Sequence, residues 1–330
     1  MAIKPKRSKR DLNITWPYHA KVINKFEQIK SPIADKPFPI ILLFWVRRYL
    51  IFCQKRLFST FFSYFRTMNF TLITGASSGI GLCYAEQFAQ KGHNIIVVSN
   101  QRERNEEVAA ELKQRFGIEA IALYADLSQV DSAEQIHEWC KEHNYEVDTL
   151  VSNAGILQFG MFLNTKPSMA EFITNLHCVT PSKLCRLFGE DMRERGGGRI
   201  LIMSSMTAWT PYITVSYYAA TKAYLKSFAQ SLWYEFRPHN IVVTTVYPGA
   251  VDTPLYSLEE KHRKWLRATG FMMKPEKMAK AGIRALERRR RAVTPGLFTK
   301  VAVGACKILP AHAILLVLKI PAIKRLLAKL

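Results

Sequence analysis

The chain has 330 residues, of which 48% are hydrophobic, and a formal net charge of +21 at pH 7. This apolar fraction can bury a sizeable core, which excludes wholesale disorder, and the charge favours anionic partners. The six cysteines are scattered and form no Cys-x-x-Cys pair. A disulfide framework and a zinc site therefore lack support, no metal is expected, and a reduced, cytoplasmic setting is predicted.

Residues 1–67 are predicted to form a basic N-terminal arm outside the catalytic fold, with fourteen Lys or Arg against three Asp or Glu. In residues 37–67 the apolar run is cut at Arg47, which is too early for a helix that spans a membrane. An interfacial helix at a membrane surface and a helix packed on the protein's own surface both agree with this pattern. A third alternative is that the native chain begins at Met68.

From Phe70 onward, short β-rich runs alternate with helical patterns. This alternation indicates βαβ units and a parallel sheet. Residues 68–293 are therefore predicted to form an α/β domain with a doubly wound, Rossmann-type sheet that binds a dinucleotide where the strand order reverses. The predicted strands are 70–74, 94–99, 120–124, 149–152, 199–203 and 241–247, and the helices are 81–91, 103–116, 132–143 and 169–195.

A glycine-rich turn, with the sequence GASSGIG from Gly75 to Gly81, joins the first strand to the first helix. Glycines permit a tight turn and a close approach of the backbone to a pyrophosphate. The N-terminus of the helix offers unpaired N–H groups to the same anion. Such a turn is weak evidence alone, but its position between a strand and a helix strengthens it.

Further polar motifs follow the later strands, at the sheet edge where a doubly wound fold binds ligands. Together with the glycine turn, and in this order, they resemble the short-chain dehydrogenase/reductase family over about residues 68–300. The resemblance implies a nicotinamide-dependent oxidoreductase that interconverts a carbonyl and an alcohol by hydride transfer. The motifs are Asp126-Leu127, Asn153-Ala154-Gly155, Ser204-Ser205, the pair Tyr218 and Lys222, and the segment from Pro248 to Thr253.

Tyr218 and Lys222 lie four residues apart, so they share one face of a helix, whereas Tyr217 lacks this spacing. A phenol has a pKa of about 10, and an adjacent ammonium stabilises the phenolate. Tyr218 is therefore predicted to be the general acid in reduction and the general base in oxidation. The resemblance implies that Lys222 also holds the nicotinamide ribose, Ser205 binds the substrate oxygen, and Asn175 orients a water in the proton relay.

The cofactor is predicted to be NADP(H), with NAD(H) as the alternative. The second strand ends in Ser99-Asn100-Gln101-Arg102, without the acidic residue that NAD-binding members place there. Ser78 is neutral, however, where many NADP-binding members carry a basic residue. The cofactor-binding residues implied by the resemblance are Gly75, Ser77, Ser78, Gly79, Ile80, Gly81, Asn100, Arg102, Asp126, Leu127, Asn153, Ala154, Gly155, Tyr218, Lys222, Pro248, Gly249, Val251 and Thr253.

The substrate is expected to be an apolar carbonyl or alcohol, such as a lipid, steroid or acyl chain. This expectation rests on apolar and aromatic residues in segments that would border the nicotinamide, although the same residues could belong to the core. A catalytically silent, NADP-binding scaffold or sensor at a membrane is the alternative function. The apolar and aromatic residues that would border the nicotinamide are Leu157, Phe159, Trp209, Tyr212 and Tyr256.

Residues 294–330 are predicted to form a basic, apolar helical tail that contacts a membrane surface together with residues 37–67, or that packs on the core. The family resemblance implies a homodimer or homotetramer. Nucleic-acid binding is not expected, because the basic residues at both ends are interleaved with apolar runs and carry no nucleic-acid motif.

Overall fold

The computed structural model describes residues 69–209, 212–255 and 260–308. These residues all belong to one compact unit, Thr67–Leu330. The predicted N-terminal arm with its interfacial helix, the aromatic residue Tyr256 and the tail beyond residue 308 lie outside the described residues.

The central sheet has seven parallel strands in the order β3-β2-β1-β4-β5-β6-β9. The order reverses between β1 and β4, which is where a doubly wound sheet binds its ligand. The predicted α/β fold is thereby confirmed. The strands are β1 (Asn69–Thr74), β2 (Asn94–Ser99), β3 (Ala120–Tyr124), β4 (Glu146–Ser152), β5 (Gly198–Met203), β6 (Ile241–Val246) and β9 (Ala292–Val293), and a separate parallel pair joins β7 (Ala250–Val251) to β8 (Met272–Met273).

Helices cover both faces of this sheet. A π-helix, Asn175–Val179, lies between the α-helices Ser168–Thr174 and Thr180–Glu194. Three short 3₁₀ turns occupy Phe162–Asn164, Met206–Trp209 and Arg237–His239. The described α-helices are α1 (Gly79–Ala89), α2 (Arg102–Phe116), α3 (Ser132–Glu142), α4 (Ser168–Thr174), α5 (Thr180–Glu194), α6 (Ser216–Glu235), α7 (Glu260–Ala268), α8 (Pro275–Glu287) and α9 (Leu297–Ile308).

Two apolar cores, one on each face, hold the layers together. In β2, Ile96 and Val98 pack toward α3, α5 and α6, while Ile95 and Val97 pack toward α1, α2 and α8. All four side chains are fully buried, and burial of each stabilises the fold by about 1.5–3 kcal/mol. A continuous apolar run, rather than an alternating one, is what a strand covered on both faces requires.

The structure departs from the sequence prediction in one helix and in the strands, where neither the pair β7 and β8 nor β9 was predicted. The sequence predicts six strands, but β9 adds a seventh; it has two residues and follows the arginine run 288–291, which obscures it. The single helix predicted for residues 169–195 is interrupted by the π-helix, in which the Thr180 N–H donates to the Asn175 carbonyl five residues earlier. Such insertions are frequent at functional sites.

The start of the predicted tail is packed on the domain, because Thr299 and Val303 of α9 are buried. In the part of the chain that the structure describes, none of the helices combines the length and apolar character needed to cross a bilayer.

Candidate active site

A cleft of about 310 Å³ opens at the carboxyl ends of β1 to β4. Many of the residues predicted to bind the cofactor line it, and they come from the glycine turn, the ends of the strands and the segment after β7. These are Gly75, Ser77, Ser78, Gly79, Ile80, Asn100, Asp126, Leu127, Asn153, Ala154, Gly155 and Thr253. The sequence did not single out the further lining residues Ser99, Gln101, Ala125, Ile156, Phe172, Leu176, Pro254 and Leu255.

The glycine turn is packed so closely at Gly75 and Gly81 that neither position has room for a side chain. Gly75 has φ +67°, and a Cβ there would lie 2.9 Å from the Cα of Ala154. A Cβ on Gly81 would overlap the carbonyl oxygen of Gly75. Gly81, which lies inside α1, therefore allows this helix to pack against the turn at Gly75. It does not line the cleft itself.

The N-terminus of α1 faces this cleft as an anion site. Ser78, its N-cap residue, makes no side-chain capping bond, and the first turn of α1 contains no acidic residue. The first N–H groups of a helix have no intrahelical partner and carry partial positive charge. The backbone cradle and these donors suit the pyrophosphate of a dinucleotide.

Asn153 braces the turn against the end of β4. Its Nδ2 donates to the carbonyl oxygens of Thr74, at 3.0 Å, and Gly75, at 3.3 Å. The backbone N–H groups of Asn153 and Ala154 both donate to the Thr74 hydroxyl, at 2.9 and 3.1 Å. The ends of the two strands at the switch point are thus fixed to each other by these hydrogen bonds.

The ends of β2 and β3 form the far side of the cleft. Asp126 accepts hydrogen bonds from Ser128 and Gln129, which hold the pKa of its carboxyl below the ordinary value. Arg102 is not among the lining residues, because its guanidinium lies over the ring of Tyr124, 4.8 Å from the ring centroid.

Lys222 is buried beside Tyr218 on the first turns of α6. Its ammonium donates to the carbonyl oxygen of Met203, at 2.9 Å, and lies 5.5 Å from the centroid of the Tyr218 ring. Burial lowers the pKa of Lys222 to about 8. The hydroxyl of Ser204 donates to the backbone carbonyl of Lys222, at 2.7 Å, which joins the end of β5 to α6.

Ser205 and Asn175 lie next to or within elements that pack against α6. Ser205 follows β5 and is buried, and its hydroxyl accepts the N–H of Thr207 at 3.2 Å. Asn175 begins the π-helix, and its Nδ2 donates to the Ser128 carbonyl, beyond the end of β3, at 3.1 Å. The strand end and the π-helix therefore carry the two polar residues predicted to act with Tyr218.

The segment after β6 contributes to the cleft through Thr253, whose methyl group would be 3.3 Å from a Cβ on Gly79. The Pro248 carbonyl accepts the N–H of Met206, at 2.8 Å, and Gly249 packs against Thr299 of α9. Val251 is buried in β7. The part from Pro248 to Val251 therefore supports the cleft without lining it.

Of the residues expected at the substrate side, Leu157, Phe159, Trp209 and Tyr212 do not line this cleft. Phe159 is 49% exposed, and the Trp209 ring lies 3.9 Å from the Lys226 ammonium and next to Tyr247. Leu157 and Tyr212 are half-buried. A small cavity of about 20 Å³ is lined in part by Phe162, Thr214, Tyr217 and Tyr218.

Known proteins share this sequence pattern. A family model described as short chain dehydrogenase matches residues 69–264. The chain is 30% identical to the probable oxidoreductase EphD of Mycobacterium bovis over 72% of this chain and 43% of that protein. It is 32% identical to human 17-beta-hydroxysteroid dehydrogenase type 3, and 29% identical to the zebrafish (Danio rerio) very-long-chain 3-oxoacyl-CoA reductase-A, over 58% of this chain in each case. The match covers 63% and 61% of these two relatives, so the chain spans less than two thirds of the length of all three.

The structure is similar to that of a short-chain dehydrogenase from Sphingobium yanoikuyae in complex with NADPH. The two share 28% sequence identity and superpose with a TM-score of 0.64, over 75% of this chain and 95% of the other. Because the family model covers more than half of the chain and the fold agrees with it, this chain belongs to the short-chain dehydrogenase family.

Proposed function

We propose that this protein is an NADP(H)-dependent oxidoreductase that interconverts a carbonyl and an alcohol on an apolar substrate. The observation that carries the proposal is the pairing of Tyr218 with the buried ammonium of Lys222, beside a cleft that suits a dinucleotide. Two relatives with matching sequence are named for reactions on steroids and very-long-chain 3-oxoacyl groups, which supports this reaction class.

When it is bound, the nicotinamide supplies or accepts the hydride. The Tyr218 hydroxyl donates its proton to the carbonyl oxygen in reduction and recovers a proton from the alcohol in oxidation. The Lys222 ammonium stabilises the phenolate that forms on Tyr218. Ser205 uses its hydroxyl proton to bind the substrate oxygen, since its oxygen already accepts the Thr207 N–H. Asn175 would orient a water that returns protons to Tyr218.

The preference for NADP(H) rests on the end of β2. Ser99, Asn100 and Gln101 line the cleft there, and none of them is acidic. A carboxylate at this position would repel the 2′-phosphate that distinguishes NADP from NAD. Arg102, directly next in sequence, can leave the Tyr124 ring to pair with that phosphate. The NADPH complex of the Sphingobium protein agrees with this assignment.

An apolar substrate agrees with the surface near the site. Phe159, Phe162 and Leu163 follow β4 and are 49%, 54% and 94% exposed, and Leu255, which lines the cleft, is 38% exposed. Exposed apolar side chains that cluster beside a site mark a binding surface. We assign them to the aliphatic or ring portion of a lipid, steroid or acyl substrate.

The test is NADPH oxidation by the purified full chain with a panel of apolar ketones and aldehydes, and with small polar aldehydes as the control set. We expect turnover of apolar members and its loss in Tyr218→Phe. Equal turnover of both sets would reject the substrate class. Tight NADPH binding without turnover across steroid, 3-oxoacyl and aliphatic carbonyls would favour the silent scaffold instead.

We further propose that α9 contacts a membrane surface. Leu297, Phe298 and Val301 on this helix are 79%, 47% and 64% exposed, and Phe298 pairs with the exposed Phe271, with ring centroids 4.8 Å apart. The exposed Lys300 lies among them, as in helices that bury apolar side chains below anionic headgroups. Flotation with anionic vesicles should retain the full chain, and Leu297→Asp with Val301→Asp should reduce retention; equal retention would reject this role of α9.

We also propose a homodimer or homotetramer. On the α5–α6 surface, Tyr224 is 45% exposed, stacks on Phe228 and is hydrogen-bonded to Ser182 of α5. Such a rigid aromatic surface is suited to an interface core. Light scattering should give the mass of two or four chains, and a monomer at micromolar concentration would reject the assembly.

A further inference from the structure

His177 lies fully buried in the π-helix, two residues after Asn175, and no motif in the sequence singled it out. The edge of its ring meets the ring of Tyr218, with centroids 5.8 Å apart. A Cβ on Gly155 would come within 2.9 Å of His177 Nε2, so the glycine of the Asn-Ala-Gly motif provides the space that this ring occupies. The imidazole thus sits between the end of β4 and the first turn of α6.

The hydrogen bonds of this imidazole define its tautomer. Its Nε2 lies 3.0 Å from the backbone N–H of Ile156, which can only donate, so Nε2 is the acceptor and the proton resides on Nδ1. Nδ1 lies 2.9 Å from the hydroxyl oxygen of Thr221. The Thr221 hydroxyl in turn donates to the carbonyl oxygen of Tyr218, at 2.9 Å.

Each proton in this series has one acceptor, so the order of donation is unambiguous: Ile156 N–H to His177, His177 to Thr221, and Thr221 to the Tyr218 carbonyl. The ring remains neutral, because burial and the nearby positive charge of Lys222 both lower the pKa of His177 well below its ordinary value. A protonated ring would need to donate from Nε2, toward an N–H group that cannot accept.

We propose that His177 is a positioning residue which, as the neutral Nδ1–H tautomer, fixes the backbone of Tyr218 relative to the Asn153–Gly155 strand end. It thereby sets the distance at which the Tyr218 hydroxyl meets the substrate oxygen. This inference rests on the proposed function for its kinetic consequence, but the hydrogen-bond series itself does not depend on turnover. A displacement of about 1 Å in a reacting group can cost up to about 100-fold in rate.

The first test reads the tautomer directly, with or without activity. In the full chain labelled with ¹⁵N-histidine, the His177 signals are those lost in His177→Gln, among the 8 histidines. We expect them to report a neutral Nδ1–H ring that does not titrate between pH 5 and 8. A neutral Nε2–H ring, or titration near pH 6.5, would overturn the proposal.

The second test separates positioning from a general loss of structure. Thr221→Val removes the hydroxyl at nearly constant volume, whereas Thr221→Ser, its matched control, retains it. We expect Thr221→Val to lower kcat 10- to 100-fold with the Kd for NADPH within twofold of wild type, and Thr221→Ser to recover most of the rate. His177→Asn, which keeps a donor near the Nδ1 position, should lose less than His177→Leu.

A Thr221→Val enzyme with kcat within twofold of wild type and an unchanged pH profile would overturn the proposal. Should the wild-type chain itself turn over no substrate, the proposed function fails, and the tautomer measurement still decides whether the hydrogen-bond series exists.

Discussion

The proposed cofactor side and the proposed substrate side of the site are formed by different kinds of atoms. On the cofactor side, the backbone packs so closely that a Cβ on Gly75 would crowd the Cα of Ala154 and a Cβ on Gly81 would overlap the carbonyl oxygen of Gly75. Asn153 adds a hydrogen bond to the carbonyl oxygen of Thr74. On the substrate side, side chains form the surface, and Leu163 is 94% exposed. Backbone geometry therefore limits change on the cofactor side, while the substrate side can vary its side chains without disturbing the sheet.

We expect the largest difference between the two sides when one methyl group is added to each of them. Gly81→Ala places a Cβ against the Gly75 carbonyl oxygen, whereas a Cβ on Gly160 meets no described atom within 4 Å. We expect Gly81→Ala to weaken NADPH binding by more than about 100-fold and to destabilise the fold by about 2 kcal/mol. Gly160→Ala should change stability by less than about 0.5 kcal/mol.

Fluorescence titration with NADPH and thermal unfolding measure both quantities. Near-equal behaviour of the two variants would show that the backbone does not set the cofactor side.

A pH titration of cofactor binding tests whether the charge of Lys222 contributes to the affinity for NADPH. The pKa of Lys222 is about 8, and a lysine is charged below its pKa, so its ammonium is progressively lost as the pH rises above 8. We expect the affinity for NADPH to fall by up to about tenfold from pH 7 to pH 9. Binding by Lys222→Met should be weak and independent of pH, and a wild-type affinity that stays flat would contradict the assignment.

Arg102 tests how far side chains contribute on the cofactor side. We expect Arg102→Ala to raise the Kd for NADPH about tenfold, equivalent to about 1.4 kcal/mol, and to leave the Kd for NADH unchanged. Arg104→Ala is the matched control, since Arg104 pairs with Glu107 and Glu111 on the same helix. Equal loss for both cofactors, or from both variants, would show that Arg102 does not recognise the 2′-phosphate.

The smallest effect is expected from one side chain on the substrate side. Leu163→Ser should raise KM for apolar substrates about fivefold, through lost apolar contact worth about 1 kcal/mol. It should leave kcat and the Kd for NADPH unchanged. Val130→Ser is the control, because Val130 is also exposed but belongs to a different segment, between β3 and α3. A comparable KM change in the control would remove the loop from the substrate site.

Much of the fold was predictable because its signals are local in sequence. The strands carry continuous apolar runs, the glycine turn lies between a strand and a helix, and Tyr218 and Lys222 lie four residues apart. Asn153 and Ser205 were expected from the family resemblance. Their common edge follows from the topology of a parallel sheet.

Features set by tertiary contacts escaped prediction. In the sequence, the π-helix that interrupts residues 169–195 cannot be distinguished from an ordinary helix. Its position depends on hydrogen bonds that join Asn175 to Ser128 and His177 to Ile156 and Thr221. Because these partners lie 21 to 47 residues away in sequence, no local sequence pattern predicts these hydrogen bonds. The strand β9 is too short to give a periodic signal.

The central claim is that Tyr218, not its neighbour Tyr217, supplies the proton. The direct measurement is single-turnover reduction with NADPH already bound, comparing Tyr218→Phe with Tyr217→Phe; Tyr217 packs against Phe162, with ring centroids 5.3 Å apart. We expect a rate about 1,000-fold lower for Tyr218→Phe, with NADPH affinity retained and Tyr217→Phe close to wild type. A Tyr218→Phe rate near that of wild type, or an equal loss in Tyr217→Phe, would contradict it.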